Sequence, residues 1–260
     1  MRAESGVVGC RRGVTIDWRF VLTVLECFLP SPPLSAYVET FGFYKGDAPL
    51  HTWERCLPDG QVALVINLGH ETLRVSNARA SDQFQSFHGG VLHGAFSQFS
   101  VIDTTTLVTT MSVCFKPGGA RPFLPMPATE LTNQVVDLST LWGPSAVSLR
   151  EQLQTAQTPE TMVRILERFL LAHGAMERTP HPAVPFALAS FQSGEERRSI
   201  SEVTAQLGVS PKRFIHLFEE AVGLTPKVFC RLLRFQEGLQ RITRGQPVRW
   251  ADLALECWLF

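Results

Sequence analysis

No stretch of the chain stays apolar for the ~18–20 residues that a membrane-crossing helix needs, so no membrane span is expected. Charge of one sign is missing as well. The 24 Lys and Arg equal the 24 Asp and Glu, so net charge says nothing about a nucleic-acid or membrane partner for the whole chain. The six cysteines, Cys10, Cys27, Cys56, Cys114, Cys230 and Cys257, form no C-x-x-C pair and are scattered along the chain. Reduced, mostly structural thiols in a cytoplasmic protein are therefore expected. The seven histidines include no H-x-H or H-x-x-x-H spacing. His88 and His93 lie five apart in HGGVLH with His51 and His70 upstream, and no carboxylate cluster accompanies them, so no metal site is expected. There is no G-x-x-x-x-G-K-[ST] phosphate loop and no G-x-S-x-G nucleophile turn. Gly118-Gly119 after an apolar run reads as a turn. These absences leave no positive case for an enzyme or for a cofactor.

What is present is enough apolar material for a sizeable core: 45% of 260 residues are hydrophobic, a length that suits about two domains. Arg11 and Arg12 precede VTIDWRFVLTVLECFL, but Asp17, Arg19 and Glu26 interrupt that run and no small-residue cleavage site follows. Residues 1–28 are read as a cytoplasmic extension, not a signal peptide. Pro30, Pro32 and Pro33 punctuate the chain, and the aromatic segment Leu34–Tyr44 opens the first core. From Arg55 to Phe115 the pattern is β-like. Leu57-Pro58-Asp59-Gly60 has turn chemistry, and QVALVINLG follows as a strand ending at Gly69. Short apolar pieces lie at Leu73–Val75, Phe84–Phe87 and Val91–Leu92. Thr104–Phe115, dense in β-branched residues, predicts one long strand. Several short strands at regular spacing suggest a barrel or sandwich. Residues 145–156 and 159–173 carry helical spacing, with Val163, Leu166 and Leu170 as one stripe. Thr179–Phe186 reads as a proline-rich connector, and Gly194 as a boundary.

Charge is unevenly shared. From Gly194 to Arg249 there are ten Lys and Arg against six Glu, so this segment is positive and the body negative, a balance that suits phosphate contact. Within it, Ser199–Phe229 reads as a helix, a turn at Gly208, a second helix and a second capped turn. Ser210 is a good N-cap and Pro211 sits at the first helical position. Phe214, Leu217 and Phe218 recur at i, i+3, i+4, while Lys212, Ile215, His216 and Glu219 take the other face. That fits the recognition helix of a helix-turn-helix, although an ordinary antiparallel helix pair has the same spacing. Thr225 caps the helix that begins at Pro226 and continues to about Arg244. Residues 248–257 begin a further helix.

Two runs carry a family resemblance: G-x-S-x-x-x-F-x-x-x-F from Gly208 to Phe218, and G-x-x-P-K-x-x-x-R-x-x-R-F-Q from Gly223 to Gln236. The C-terminal segment resembles the DNA-binding domain of the AraC/XylS family of bacterial transcription regulators. LPDG-x-x-x-L-V-x-N-L-G (Leu57–Gly69), HG-x-x-S (His93–Ser97) and F-x-P-GGA-x-P-F (Phe115–Phe123) resemble the β-rich sensor domain of one subgroup. The resemblance implies an α+β protein with an extension over 1–28, a β-barrel or cupin-like sensor over 29–125, a helical connector over 126–193 and an all-α helix-turn-helix domain over 194–260. Such regulators carry two helix-turn-helix units joined by a long helix. Here the second unit starts at Trp250–Cys257 and the chain stops at Phe260, so an incomplete second unit with weakened DNA binding is expected. Thr204 and Gly238 stand where the family usually has alanine. The implied partners are double-stranded DNA, a small-molecule effector of unnamed class and a second copy of the chain. The expected recognition helix is Ser210–Glu220. Lys212, Ile215 and His216 are assigned to bases and Arg213, Lys227 and Arg231 to phosphates, with Pro211 at the head of the helix completing the DNA-contact set. The ligand-binding residues stay unassigned. A sensor or interaction protein that does not bind DNA remains the alternative.

Overall fold

The structure, a computed structural model, describes residues 25–46, 52–69, 72–77, 84–105, 107–193 and 198–244. Its first half pairs short strands into two antiparallel sheets. The larger sheet has the order β1-β2-β9-β4-β7-β10, built from β1 (Leu25–Phe28), β2 (Val38–Lys45), β4 (Ala63–Asn67), β7 (Gly90–His93), β9 (Thr109–Phe115) and β10 (Val135–Asp137). The smaller has the order β3-β8-β5-β6, from β3 (Trp53–Cys56), β8 (Ser100–Asp103), β5 (Leu73–Asn77) and β6 (Gln85–Phe87).

Successive side chains of a strand point to opposite faces, so register decides which residues share a layer. In the larger sheet Phe41, Val113 and Leu64 lie side by side, as do Phe43, Met111 and Ile66. All six are buried on the face that meets the helices. The intervening residues are smaller or more polar: Thr40, Cys114 and Ala63 in one row, Gly42, Ser112 and Val65 in the next. This second face belongs to a separate, smaller core between the sheets, formed by Leu73, Val75, Val91, Ile102 and Leu107.

Four sequence expectations are adjusted by tertiary contacts. The strand expected over Thr104–Phe115 is shortened to Thr109–Phe115. Asp103 Oδ1 accepts the Thr105 N–H at 3.0 Å, a side-chain turn that ends β8 and lets β9 begin at Thr109 in the other sheet. Residues 25–28 of the expected extension pair with β2 as its outer neighbour. The expected helical connector contributes β10, which pairs with β7. The proline-rich connector ends earlier than expected, because α4 already starts at Ala183. Pro185 lies in its first turn, where a missing N–H breaks no helical bond. The boundary expected at Gly194 and the helix expected over 248–257 lie outside the described residues.

The helices are α1 (Leu138–Trp142), α2 (Pro144–Thr155), α3 (Pro159–His173), α4 (Ala183–Gln192), α5 (Ile200–Leu207), α6 (Pro211–Val222) and α7 (Pro226–Thr243). The stripe Val163, Leu166 and Leu170 on α3 is buried as its spacing requires. Arg150 of α2 reaches the sheet, donating from Nε to the Asn67 carbonyl at 2.8 Å and from Nη2 to the Gly69 carbonyl. One hydrophobic core runs without interruption from the larger sheet through α2–α4 into α5–α7. The architecture is thus α+β, with a β-rich first half in two sheets followed by helices. None of the described helices is long and apolar enough to cross a membrane.

Candidate nucleic-acid interface and inter-sheet cavity

The segment α5–α7 is held by three N-caps and two left-handed glycines. Ser199 and Glu202 form a reciprocal capping box at the start of α5, with the Ser199 N–H donating to Glu202 Oε2 at 2.7 Å. These bonds hold the exposed Glu202 carboxyl below the usual range. Gly208, at φ +64°, ends α5 in a conformation that costs a residue with a Cβ. Ser210 Oγ accepts the Arg213 N–H at 3.3 Å and Pro211 opens α6. Thr225 Oγ1 accepts the Val228 N–H at 3.1 Å and Pro226 opens α7. Short polar caps before prolines therefore fix where both helices start.

Aromatic packing fixes how α6 is turned. Phe218 meets Phe191 of α4 at 6.0 Å, Phe229 of α7 at 5.6 Å and Phe214 at 5.9 Å between ring centroids. Phe191, Phe214 and Phe218 are fully buried. With that face committed, the opposite one is left in solvent. Pro211, Lys212, Arg213, Ile215 and His216 are all exposed, Ile215 to 40%. Lys227 and Arg231, on the first turns of α7, are exposed too. The structure thus places every residue of the expected DNA-contact set on open surface of two packed helices, each beginning at a capped N-terminus. Thr204, where the related pattern has alanine, is accommodated in the buried face of α5 because its hydroxyl donates to the Ile200 carbonyl at 2.7 Å. Gly238 is buried within α7, where a larger side chain would need room.

The rear of this helical segment is fastened to the β-rich half. Gly223 ends α6 at φ +84°, and its carbonyl accepts the Thr132 hydroxyl. A Cβ at this position would lie 3.0 Å from the Ala128 carbonyl oxygen. Arg121 pairs with Glu220 at 3.4 Å. Gln236, buried on α7, donates from Nε2 to the Pro58 carbonyl at 2.6 Å. Two residues further on, Gly60 sits so close that an added methyl would come within 3.1 Å of both Leu224 and Leu232. The Leu57–Gly60 turn is therefore the point where β3 and β4 touch α7.

The same turn forms one end of a cavity between the two sheets. Its walls are largely apolar, with Ala63, Val65, Val91, Val75 and Ile102 among them, and it has about 60 Å³ open to the centres of water-sized spheres. That is room for several waters or a small ring. Three charged side chains and a histidine line it that the sequence reading did not single out as a site, Asp59, Arg74, Asp103 and His93, beside the uncharged Gln61 and Ser100. Two of them stand inside the quoted motifs, Asp59 in LPDG and His93 in HG-x-x-S, so a signal was there, but turn chemistry was sufficient to explain the first.

Each polar group has a distinct state. Arg74 pairs with Asp103 at 3.2 Å and its guanidinium carbon lies 5.5 Å from the stacked rings of Trp53 and Phe84. His93 stacks on Phe96 at 4.1 Å, and burial pushes its pKa down to about 4, so the ring is neutral at pH 7. Asp59 keeps some exposed surface as a residue, yet its Oδ2 is enclosed and has no hydrogen-bond partner among the described residues. Its Oδ1 accepts the Gln61 N–H at 2.9 Å. Burial pushes the Asp59 carboxyl up to about 6, the backbone donors opposing the rise. The thiols of Cys56 and Cys114 are pushed up to about 12, by burial first and then by nearby negative charge, Glu54 and Asp59 for Cys56 and Asp59 for Cys114.

Residues 26–137 match the model of a family described as a domain of unknown function, DUF6597. No curated protein matches the chain. Among solved structures, it is similar to an apo variant of ToxT from Vibrio cholerae strain SCE256, at 11% identity and a TM-score of 0.41, over 84% of this chain and 88% of that one. ToxT from Vibrio cholerae O395 is similar at 9% identity and a TM-score of 0.40, over 84% and 87%. Wild-type ToxT from strain SCE256, bound to an unsaturated fatty acid, is similar at 10% identity and a TM-score of 0.38, over 84% and 85%. Likeness this distant leaves the chemistry of both sites to this chain's own residues.

Proposed function

We propose that the chain is a transcription regulator that binds double-stranded DNA through α6 and whose β-rich half senses a small molecule in the inter-sheet cavity. The observation that carries this reading is the division of α6. Its aromatic face is buried against α4 and α7, and its other face offers Lys212, Ile215 and His216 to solvent beside Arg213, Lys227 and Arg231. The AraC/XylS-like runs over Gly208–Phe218 and Gly223–Gln236 support it. A helix entering the major groove by its N-terminal turns brings Lys212 and His216 to base edges and Ile215 to a thymine methyl. Arg213, Lys227 and Arg231 then meet phosphates, helped by the positive end of the α7 dipole and the Lys227 N–H.

Fluorescence anisotropy tests this with a labelled duplex from the region upstream of the protein's own gene, against a scrambled duplex of equal length, at several salt concentrations. His216→Ala is expected to change the ratio between the two duplexes. Lys227→Ala is expected to weaken both alike and to reduce the log–log salt slope by about 1. Equal losses on both duplexes from both variants would overturn the assignment of bases and phosphates. No salt-dependent binding to either duplex would overturn the regulator reading and leave a sensor or interaction protein that does not bind DNA.

A further inference from the structure

We propose that the inter-sheet cavity takes a small, largely apolar molecule carrying a cationic nitrogen, an amine or amidine, with that nitrogen paired with the Asp59 carboxylate. This rests on the reading of the cavity as an effector site and adds the chemical class of the effector.

The charge inventory of the wall carries the inference. Three charged side chains line the cavity: Asp59, Asp103 and Arg74. Arg74 and Asp103 neutralise one another at 3.2 Å, and Arg74 is further engaged by Trp53 and Phe84. His93 stays neutral. That leaves Asp59 as the one lining charge without a counter-charge among the described residues, with one oxygen enclosed and unpartnered. A buried carboxylate oxygen left without a donor costs folding free energy, and such costs are found where a site awaits a ligand. With Arg74 and Asp103 paired, Asp59 gives this end of the cavity a net negative field. A carboxylate ligand would meet that field with the one cation on the wall already taken. An ammonium would meet an acceptor and an opposite charge in a poorly solvated place, where the pairing is strong. The remaining wall is largely apolar and fits the apolar part of the molecule.

The position also makes the ligand readable. Asp59 follows Pro58, whose carbonyl holds Gln236 of α7, and precedes Gly60, which packs on Leu224 and Leu232. A head group that draws Asp59 inward pulls on the turn that touches the helix joining the DNA-contact residues Lys227 and Arg231.

Three probes of matched size test the class: benzylamine, benzyl alcohol and benzoate, titrated into the full chain at pH 7.5 while methyl resonances of Val65, Val75 and Ile102 are followed by NMR. Benzylamine is expected to shift all three methyls, and benzoate to bind at least roughly tenfold more weakly. Asp59→Asn is expected to bring benzylamine to the affinity of benzyl alcohol. Val65→Phe, which fills the cavity from the wall, is expected to abolish binding of all three probes. Benzoate binding as tightly as benzylamine, benzylamine affinity unchanged in Asp59→Asn, or no methyl shift with benzylamine at millimolar concentration overturns the proposal. The resonances report the cavity and the anisotropy titration reports DNA. A chain that binds benzylamine and no DNA therefore overturns the regulator reading alone, and one that binds DNA and no benzylamine overturns this proposal alone.

Discussion

Replacing Asp59 by asparagine should change how stability depends on pH, and by an amount the structure sets. In the fold the carboxyl titrates near 6 instead of the ordinary 3.8 because it is buried. A raised folded value means that the folded state holds the proton more tightly than the unfolded chain. Above pH 6 both states carry the charge, and only the folded state bears its burial, at about 3 kcal/mol from ~1.4 kcal/mol per unit. As pH falls from 6 to 3.8 the folded carboxyl takes up its proton first and that cost disappears. His93 acts in the opposite sense over nearly the same window. Its folded value is about 4 against an ordinary 6.5, so the unfolded chain is protonated first and stability falls by up to about 3 kcal/mol between pH 6.5 and 4. In the natural chain the two slopes largely cancel. Asp59→Asn removes one and leaves the other. The amide N–H₂ would inherit the enclosed, unpartnered position of Oδ2, at about 1–3 kcal/mol, but that cost does not depend on pH. The difference in unfolding free energy between variant and natural chain should therefore shift by about 3 kcal/mol in favour of the natural chain on going from pH 7.5 to 4. Urea unfolding followed by tryptophan fluorescence at four or five pH values measures it. A difference that is constant across that range would refute the assignment of a buried, uncompensated carboxyl at this position.

Two further substitutions probe how the helical segment is fastened to the sheets. Gly223→Ala puts a Cβ 3.0 Å from the Ala128 carbonyl oxygen at φ +84°. It should lower stability by about 1–3 kcal/mol, seen as a lower thermal midpoint by circular dichroism, and an unchanged midpoint would show that the close approach is slack. Gln236→Ala removes the donor to the Pro58 carbonyl. It should cost about 1–3 kcal/mol through the acceptor left buried and speed amide hydrogen exchange in residues 57–61. Unaltered exchange there would refute the turn as the junction with α7.

Much of the helical half is written locally. Ser210 and Thr225 each precede a helix and each is found accepting the expected N–H, and Ser199 does the same for α5. Capping is an exchange between neighbours, so three or four residues suffice to specify it. The spacing of Phe214, Leu217 and Phe218 likewise decided which side of α6 would be buried, and by elimination which residues would meet solvent. The β-rich half was less legible. Thr104–Phe115 has strand composition throughout, yet the Asp103 side chain closes a turn that takes its first residues out of any strand and delays β9 to Thr109. Residues 135–137 became a strand because β7 offered an unpaired edge, and nothing near them in the chain announces that edge.

The sequence by itself determined α2, α3 and α5–α7, the caps of α6 and α7, the buried faces of α3 and α6 and the exposed set from Pro211 to Arg231, because those depend on residues a turn or two apart. Only the tertiary structure decided what Asp59 is. Read locally it belongs to a turn, but the environment of its Oδ2 is made by strands and helices distant in sequence. β4, β7 and β9 bring Ala63, His93 and Cys114 beside that end of the cavity, β8 supplies the aspartate that claims Arg74, and α7 closes the far side through Gln236. Burial and the loss of a counter-charge are properties of that assembly, and they are what turn an ordinary turn residue into the candidate for recognising a ligand.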